Sequence, residues 1–153
     1  MSTMDELKVE TKTIDVELEL SDGGRLAGSL FLRLYSSHHS GAEHVGDLLN
    51  DAAEFFPVKM AQGVQLINRR HVRCVRVAAR MEQDELMTLG AKHRVSLSLN
   101  GGGLVEGDIY VDLPEALASR VKDYFNQSHR FFPVFSSGVI VYINAREIVA
   151  VRD

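Results

Sequence analysis

The sequence predicts a mainly β protein with helices (α+β), built as two tandem ββαββ modules. Three observations carry this. The chain repeats itself, each copy opens on a strand-like alternation closed by glycines, and each copy then carries one short helical stripe.

The repeat is the strongest of the three. Val16-Glu17-Leu18-Glu19-Leu20 with Gly23-Gly24 is answered by Val95-Ser96-Leu97-Ser98-Leu99 with Gly102-Gly103, at an offset of 79 residues. Phe55-Phe56-Pro57-Val58 returns as Phe131-Phe132-Pro133-Val134, Ile67-Asn68 as Ile143-Asn144 and Val75-Arg76 as Val151-Arg152, at an offset of 76. The first copy therefore holds three extra residues, around Ser36 to Gly41. One order and nearly one spacing point to a duplication: a first module over 13–79, a connecting segment over 80–91 with helical character, and a second module over 92–153. A unit of about 60 residues buries too little surface to be comfortable alone. The two copies are expected to pack as a pseudo-symmetric pair.

Within the first copy, Ile14, Val16, Leu18 and Leu20 alternate with Asp15, Glu17 and Glu19, the period of a half-buried strand with an acidic outer face. Asp22-Gly23-Gly24 supplies a tight turn, and a second strand follows from Arg25 to Leu34. Gly28 inside it, matched by Gly107, marks a bend or bulge. A helix is expected over Ala42 to Glu54, on the spacing of Val45, Leu48, Leu49 and Ala52; in the second copy Pro114 sits near the start and Leu117, Val121, Tyr124 and Phe125 form the stripe. Asn126 is expected to end that helix in a left-handed conformation. The helix must stop before Phe56, because Pro57 pushes its predecessor out of the α region. The Phe-Phe-Pro-Val segments are expected in the core under the helix end. Val64–Ile67 and Val72–Val77 read as a closing hairpin with Asn68 in its turn, as Asn144 is in the second copy. Val139 to Ile143 is apolar at successive positions, as in a strand buried on both faces. It is expected at a contact between copies or between chains.

These features resemble a known family. Arg94 to Asp112 resembles the first motif of Sm-like small β-barrels: an alternating strand, a glycine turn, a glycine-bent strand and an acidic residue. Gly138 to Val151 resembles their second motif, and Val16–Leu34 with Gly63–Val77 carries both features in the first copy. The resemblance implies Sm-like or SH3-like small barrels. A helix and the Phe-Phe-Pro-Val segment stand between the two motifs here. The family's RNA-contacting Asp-x-x-x-Asn has no counterpart after Asp112, and Asn144-Ala145 and Asn68-Arg69 stand in place of its Arg-Gly. The chain also resembles an uncharacterised bacterial tandem-repeat family of unknown function, through Asn50…Phe55-Phe56-Pro57 and Ile143-Asn144…Ile148.

Composition bounds the function. The 153 residues carry a net charge of −4, with 45% hydrophobic and 25% charged residues, which excludes collagen-like and low-complexity chains. Cys74 is the only cysteine, which excludes an internal disulfide and a cysteine-rich zinc site. It reads as a small buried hydrophobe. No apolar run approaches the roughly 18 residues of a membrane helix, and Met1 to Glu10 lacks a signal-peptide core. A cytoplasmic setting without membrane contact is expected.

No nucleophile elbow, phosphate loop, dinucleotide fingerprint or His-Glu-x-x-His motif is present, so no catalytic residue and no cofactor is assigned. Two clusters invite chemistry. His38, His39 and His44, beside Glu43 and Asp47, offer imidazole and carboxylate ligands for a metal. Arg69, Arg70 and Arg73, with Arg146 from the second copy, offer guanidinium forks to phosphate or nucleic acid. The expected function is a non-enzymatic scaffold or protein-assembly module that binds itself or a protein partner. An Sm-like RNA- or nucleotide-binding protein, and a metal-dependent regulator using the His-rich loop, are the alternatives. Nucleic acid is not favoured, because net negative charge gives no general steering toward phosphate.

Overall fold

A computed structural model of the chain describes residues 10–36, 39–113 and 120–153. Among the described residues, ten strands form one antiparallel sheet: β1 (Thr11–Leu20), β2 (Arg25–Arg33), β3 (Phe55–Met60), β4 (Gly63–Asn68), β5 (Val72–Ala78), β6 (Ala91–Leu99), β7 (Leu104–Val111), β8 (Phe131–Ser136), β9 (Val139–Asn144) and β10 (Ile148–Arg152). The helices are short: α1 (Val45–Leu49), α2 (Ala79–Glu82) and α3 (Val121–Phe125). The protein is mainly β, as the alternating segments require. No described helix is long and apolar enough to cross a membrane.

The sheet runs β10-β6-β7-β8-β9-β5-β1-β2-β3-β4. Its two halves follow the repeated segments in the same order, with β9 joined to β5 in the middle and β10 and β4 left as edges. Gly28 and Gly107 explain how β2 and β7 meet the strands beside them. A Cβ at Gly28 would lie 2.7 Å from Val58 Cγ1 and 2.8 Å from the Lys59 carbonyl oxygen. At Gly107 it would lie 2.6 Å from both Val134 Cγ1 and the Phe135 carbonyl oxygen. The glycines are there for close approach.

Four expectations need correction. The Phe-Phe-Pro-Val segments are strands, β3 and β8, so each repeat has five strands and the order ββαβββ. Pro57 lies outside the short β2–β3 ladder, which joins only Ser29 to Lys59 and Leu30 to Val58, a position compatible with its missing N–H. The expected hairpin of β4 with β5 does not form: β4 pairs with β3, and β5 pairs with β1 and β9. The Asn68 side chain accepts a hydrogen bond from Arg70 N and tightens Arg69–His71 into a 3₁₀ turn, which sends β5 away from β4. Asn144 does the same at Ala145–Glu147.

The helix of the first repeat covers five residues, not 42–54. His44 before it is extended and Asn50 ends it at φ −93°, with Asn50 Nδ2 bonded to the Gly46 carbonyl at 3.0 Å. Glu54 O then accepts from Arg69 N at 2.7 Å, which commits the following chain to the sheet. Asn126 ends α3 at φ −93°, not in a left-handed conformation, because its Nδ2 reaches the Lys122 carbonyl at 2.7 Å. Pro114 and Leu117 lie outside the described residues. The connecting segment holds α2 and a 3₁₀ turn at Glu85–Thr88.

Two hydrophobic clusters form the core, one under each repeat. The β5–β9 pair serves both. Val72, Val75 and Val77 face the first cluster and Cys74 the second. Ile140 and Tyr142 face the first cluster, while Val141 and Ile143 face the second. This is why Val139 to Ile143 lacks polar alternation: with a core on each side, neither face of β9 meets water.

Candidate functional site: the junction between repeats and the two open edges

The junction is held by polar side chains at the ends of α1, α2 and β9, around the β5–β9 ladder. Asn50 Oδ1 accepts from the backbone N–H groups of Arg130 (2.8 Å) and Phe131 (2.9 Å), and its Nδ2 donates to the Phe131 carbonyl at 3.2 Å. Asn144 Nδ2 donates to the Val72 carbonyl at 2.9 Å. Glu82, only 4% exposed, accepts from Val45 N, Gly46 N and, at 2.5 Å, the Tyr142 hydroxyl. Burial raises the Glu82 pKa above the ordinary carboxylate value, against these three donors. Burial and the Glu82 charge raise the Tyr142 pKa as well. Asn50 and Asn144 are visible in the sequence as polar matches between copies; Glu82 carries no such signal.

The arginines separate into two groups. Arg69, Arg70 and Arg146 line one cavity of about 180 Å³ at the junction, together with Arg130, Glu54 and His129. Arg130 escapes sequence reading because it aligns with Glu54 of the first repeat. Arg73 lies elsewhere. It donates to Glu19 Oε1 at 2.9 Å and to the Gly102 carbonyl. Glu19 also pairs with Arg76 at 3.3 Å, and these partners hold its pKa below the ordinary value although burial opposes them.

In the His-rich loop, His38 lies outside the described residues. His39 Nε2 lies 2.6 Å from Asp47 Oδ2, His44 Nδ1 lies 3.8 Å from the same oxygen, and His44 Nε2 lies 2.7 Å from Asp84 Oδ2. The Ser40 carbonyl and Asp47 raise the His39 pKa against desolvation. His39, His44 and Asp47 offer ligand atoms within 4.8 Å of one another, the donor set of a divalent cation. The two rings, however, are stacked at 4.1 Å with 18° between planes. One ion cannot lie in the plane of both, so a ring would have to turn. As arranged, the cluster is a set of imidazole–carboxylate pairs.

Cys74 is fully buried, and burial pushes its thiol up to about 11. That is the wrong direction for a nucleophile.

The open edges differ from the junction in exposure, not in sequence type. The copy-two residues that enter the first core cluster are Phe131, Ile140 and Tyr142. Their counterparts 76 positions earlier are Phe55, Val64 and Leu66, which are 55%, 60% and 65% exposed. On β10, Val149 is 68% exposed.

Comparison of the chain with protein-family models, curated proteins and solved structures finds no significant match.

Proposed function

We propose that the protein is a non-enzymatic assembly module: two fused small barrels of Sm-like type, packed as a pseudo-symmetric pair, that link head to tail with further copies of the same chain. The observation that carries this is the match between the buried junction and the two open edges. β9 joins β5 inside the chain, and β4 and β10 are their sequence counterparts. Repeating the internal contact once would pair β4 of one chain with β10 of the next, with Ala150 opposite Ile67, Val151 opposite Leu66 and Arg152 opposite Gln65. Phe55, Val64 and Leu66 would then enter the second cluster of the neighbour as Phe131, Ile140 and Tyr142 enter the first. The polar clamps repeat too. Asn126 and Asn68 stand ready to do between chains what Asn50 and Asn144 do within one. An apolar edge strand left open invites strand addition unless charge or proline blocks it, and β4 carries neither. Unlike edges make a heterologous contact, which closes into a ring or grows as a filament.

The test is a mass measurement by light scattering across a concentration series. The wild-type chain should associate. Leu66→Lys, which blocks the β4 edge, and Ala150→Lys, which blocks the β10 edge at the position opposite Ile67, should each be folded monomers. Mixed together they should form a discrete dimer through the one edge that each retains. A wild-type chain that stays monomeric at high concentration, or a mixture that never pairs, overturns the reading.

A further inference from the structure

Beyond assembly, the junction cavity presents the chemistry of an anion site. Arg69 is 2% exposed and lines the cavity, and its Nε and Nη1 have no hydrogen-bond partner. Its remaining contacts are one hydrogen bond from Nη2 to the Leu48 carbonyl at 2.8 Å and the Phe56 ring, whose centroid is 5.5 Å from Cζ. A buried guanidinium with two unused donors is costly unless something accepts from it. The cations around it deepen the imbalance. Arg70 and Arg130 share one carboxylate, Glu54, at 3.6 Å and 3.2 Å. Arg146 is exposed and has no ion-pair partner among the described residues. Four arginines thus face a single lining carboxylate. Burial, with Arg130 adding to it, lowers the Arg69 pKa from its ordinary value and outweighs the opposing pull of Asp51 and Glu54.

We propose that this cavity binds the phosphate group of a small phosphorylated ligand, with Arg69 donating from within and Arg70, Arg130 and Arg146 closing around it. Guanidinium forks match phosphate oxygens two at a time, and a dianion offsets the local excess charge. A small ligand fits better than a nucleic-acid strand. The cations converge on one cavity of about 180 Å³, Arg73 is tied up elsewhere, and the whole chain is negative at −4. A polynucleotide needs a row of free cations along its backbone. The site is also unique within the chain, because Ala145 stands where the repeat would place a second Arg69.

The test is calorimetric titration of the full chain with inorganic phosphate, a mononucleotide and a single-stranded oligonucleotide. Phosphate and the mononucleotide should bind once per chain. The double variant Arg70→Ser/Arg146→Ser changes exposed residues and should still fold, yet lose at least about tenfold in affinity, equivalent to about 1.4 kcal/mol. Arg73→Ser should bind as the wild type does. No binding of phosphate or mononucleotide at millimolar concentration overturns the proposal. So does affinity indifferent to Arg70 and Arg146, or binding confined to the oligonucleotide and growing with its length. The assembly reading stands or falls separately, since Leu66→Lys leaves the cavity untouched.

Discussion

Asn50 meets Phe131 with both ends of its amide: Oδ1 accepts from Phe131 N at 2.9 Å and Nδ2 donates to Phe131 O at 3.2 Å. One side chain thereby satisfies the start of β8 and fixes the second repeat against the first. Asn126 holds the matching position but bonds only back to its own helix among the described residues.

Asn50→Ala should therefore cost about 2 kcal/mol in urea unfolding, since it strands backbone groups that Asn50 now satisfies. Asn126→Ala should leave the unfolding of the single chain nearly unchanged and weaken association between chains. Equal effects of the two variants on unfolding would show that Asn50 has no special place at the junction.

The Glu82–Tyr142 contact predicts a pH dependence. A carboxyl whose folded pKa lies above its unfolded value holds its proton more tightly when folded. Stability is then greater below the unfolded value and falls as pH rises from there through the folded value. Tyr142→Phe removes one donor from the carboxylate and should cost about 2 kcal/mol at neutral pH, less as acid protonates Glu82. Unfolding curves from pH 4 to 8 would test this. A penalty independent of pH would remove the charge from the account.

Gly28→Ala and Gly107→Ala each force a methyl against a valine side chain and a carbonyl of the next strand. Each should destabilise by roughly 2 kcal/mol, visible as a lower midpoint in thermal melts. Gly101→Ala makes a comparison without a clash, because nothing lies within 4 Å of its added Cβ; its cost should come from its φ of +78° alone.

Cys74 should resist alkylation in the folded protein. With a thiol near 11, about one molecule in a thousand is thiolate at pH 8, and the sulfur is buried. Labelling should track unfolding when followed by mass spectrometry in increasing urea. Rapid stoichiometric labelling without denaturant would contradict the burial.

Much was legible in the residues alone. The duplication, the alternating strands and the doubly apolar β9 all follow from local chemistry repeated at a fixed spacing; Gly28 and Gly107 stand out in the sequence too, but they serve close approach of the next strand, with the register running unbroken through both. The strand nature of Phe55–Met60 was hidden, because Pro57 argues locally against a ladder and only the neighbours of β3 show where its N–H is not needed. The fate of β5 was hidden for a related reason. A segment after a turn can pair back or cross over, and the choice rests on the Asn68-capped turn and on a partner, β9, that lies 61 or more residues away in the chain.

The chemical clusters divide in the same way. Sequence placed His39 near His44 and Arg69 near Arg70, because neighbours in the chain stay neighbours in space. Only the tertiary structure could stack the two imidazoles, turn Arg73 toward Glu19 and bring Arg130 and Arg146 to Arg69. Sequence by itself determined the repeated strand segments and their apolar faces, since hydrophobic period is a local property. Which edges were joined, which were left open and which cations share a cavity depended on how the two halves of the sheet meet at β5 and β9. That meeting is decided by side chains far apart in the chain, such as Asn50 with Phe131 and Glu82 with Tyr142.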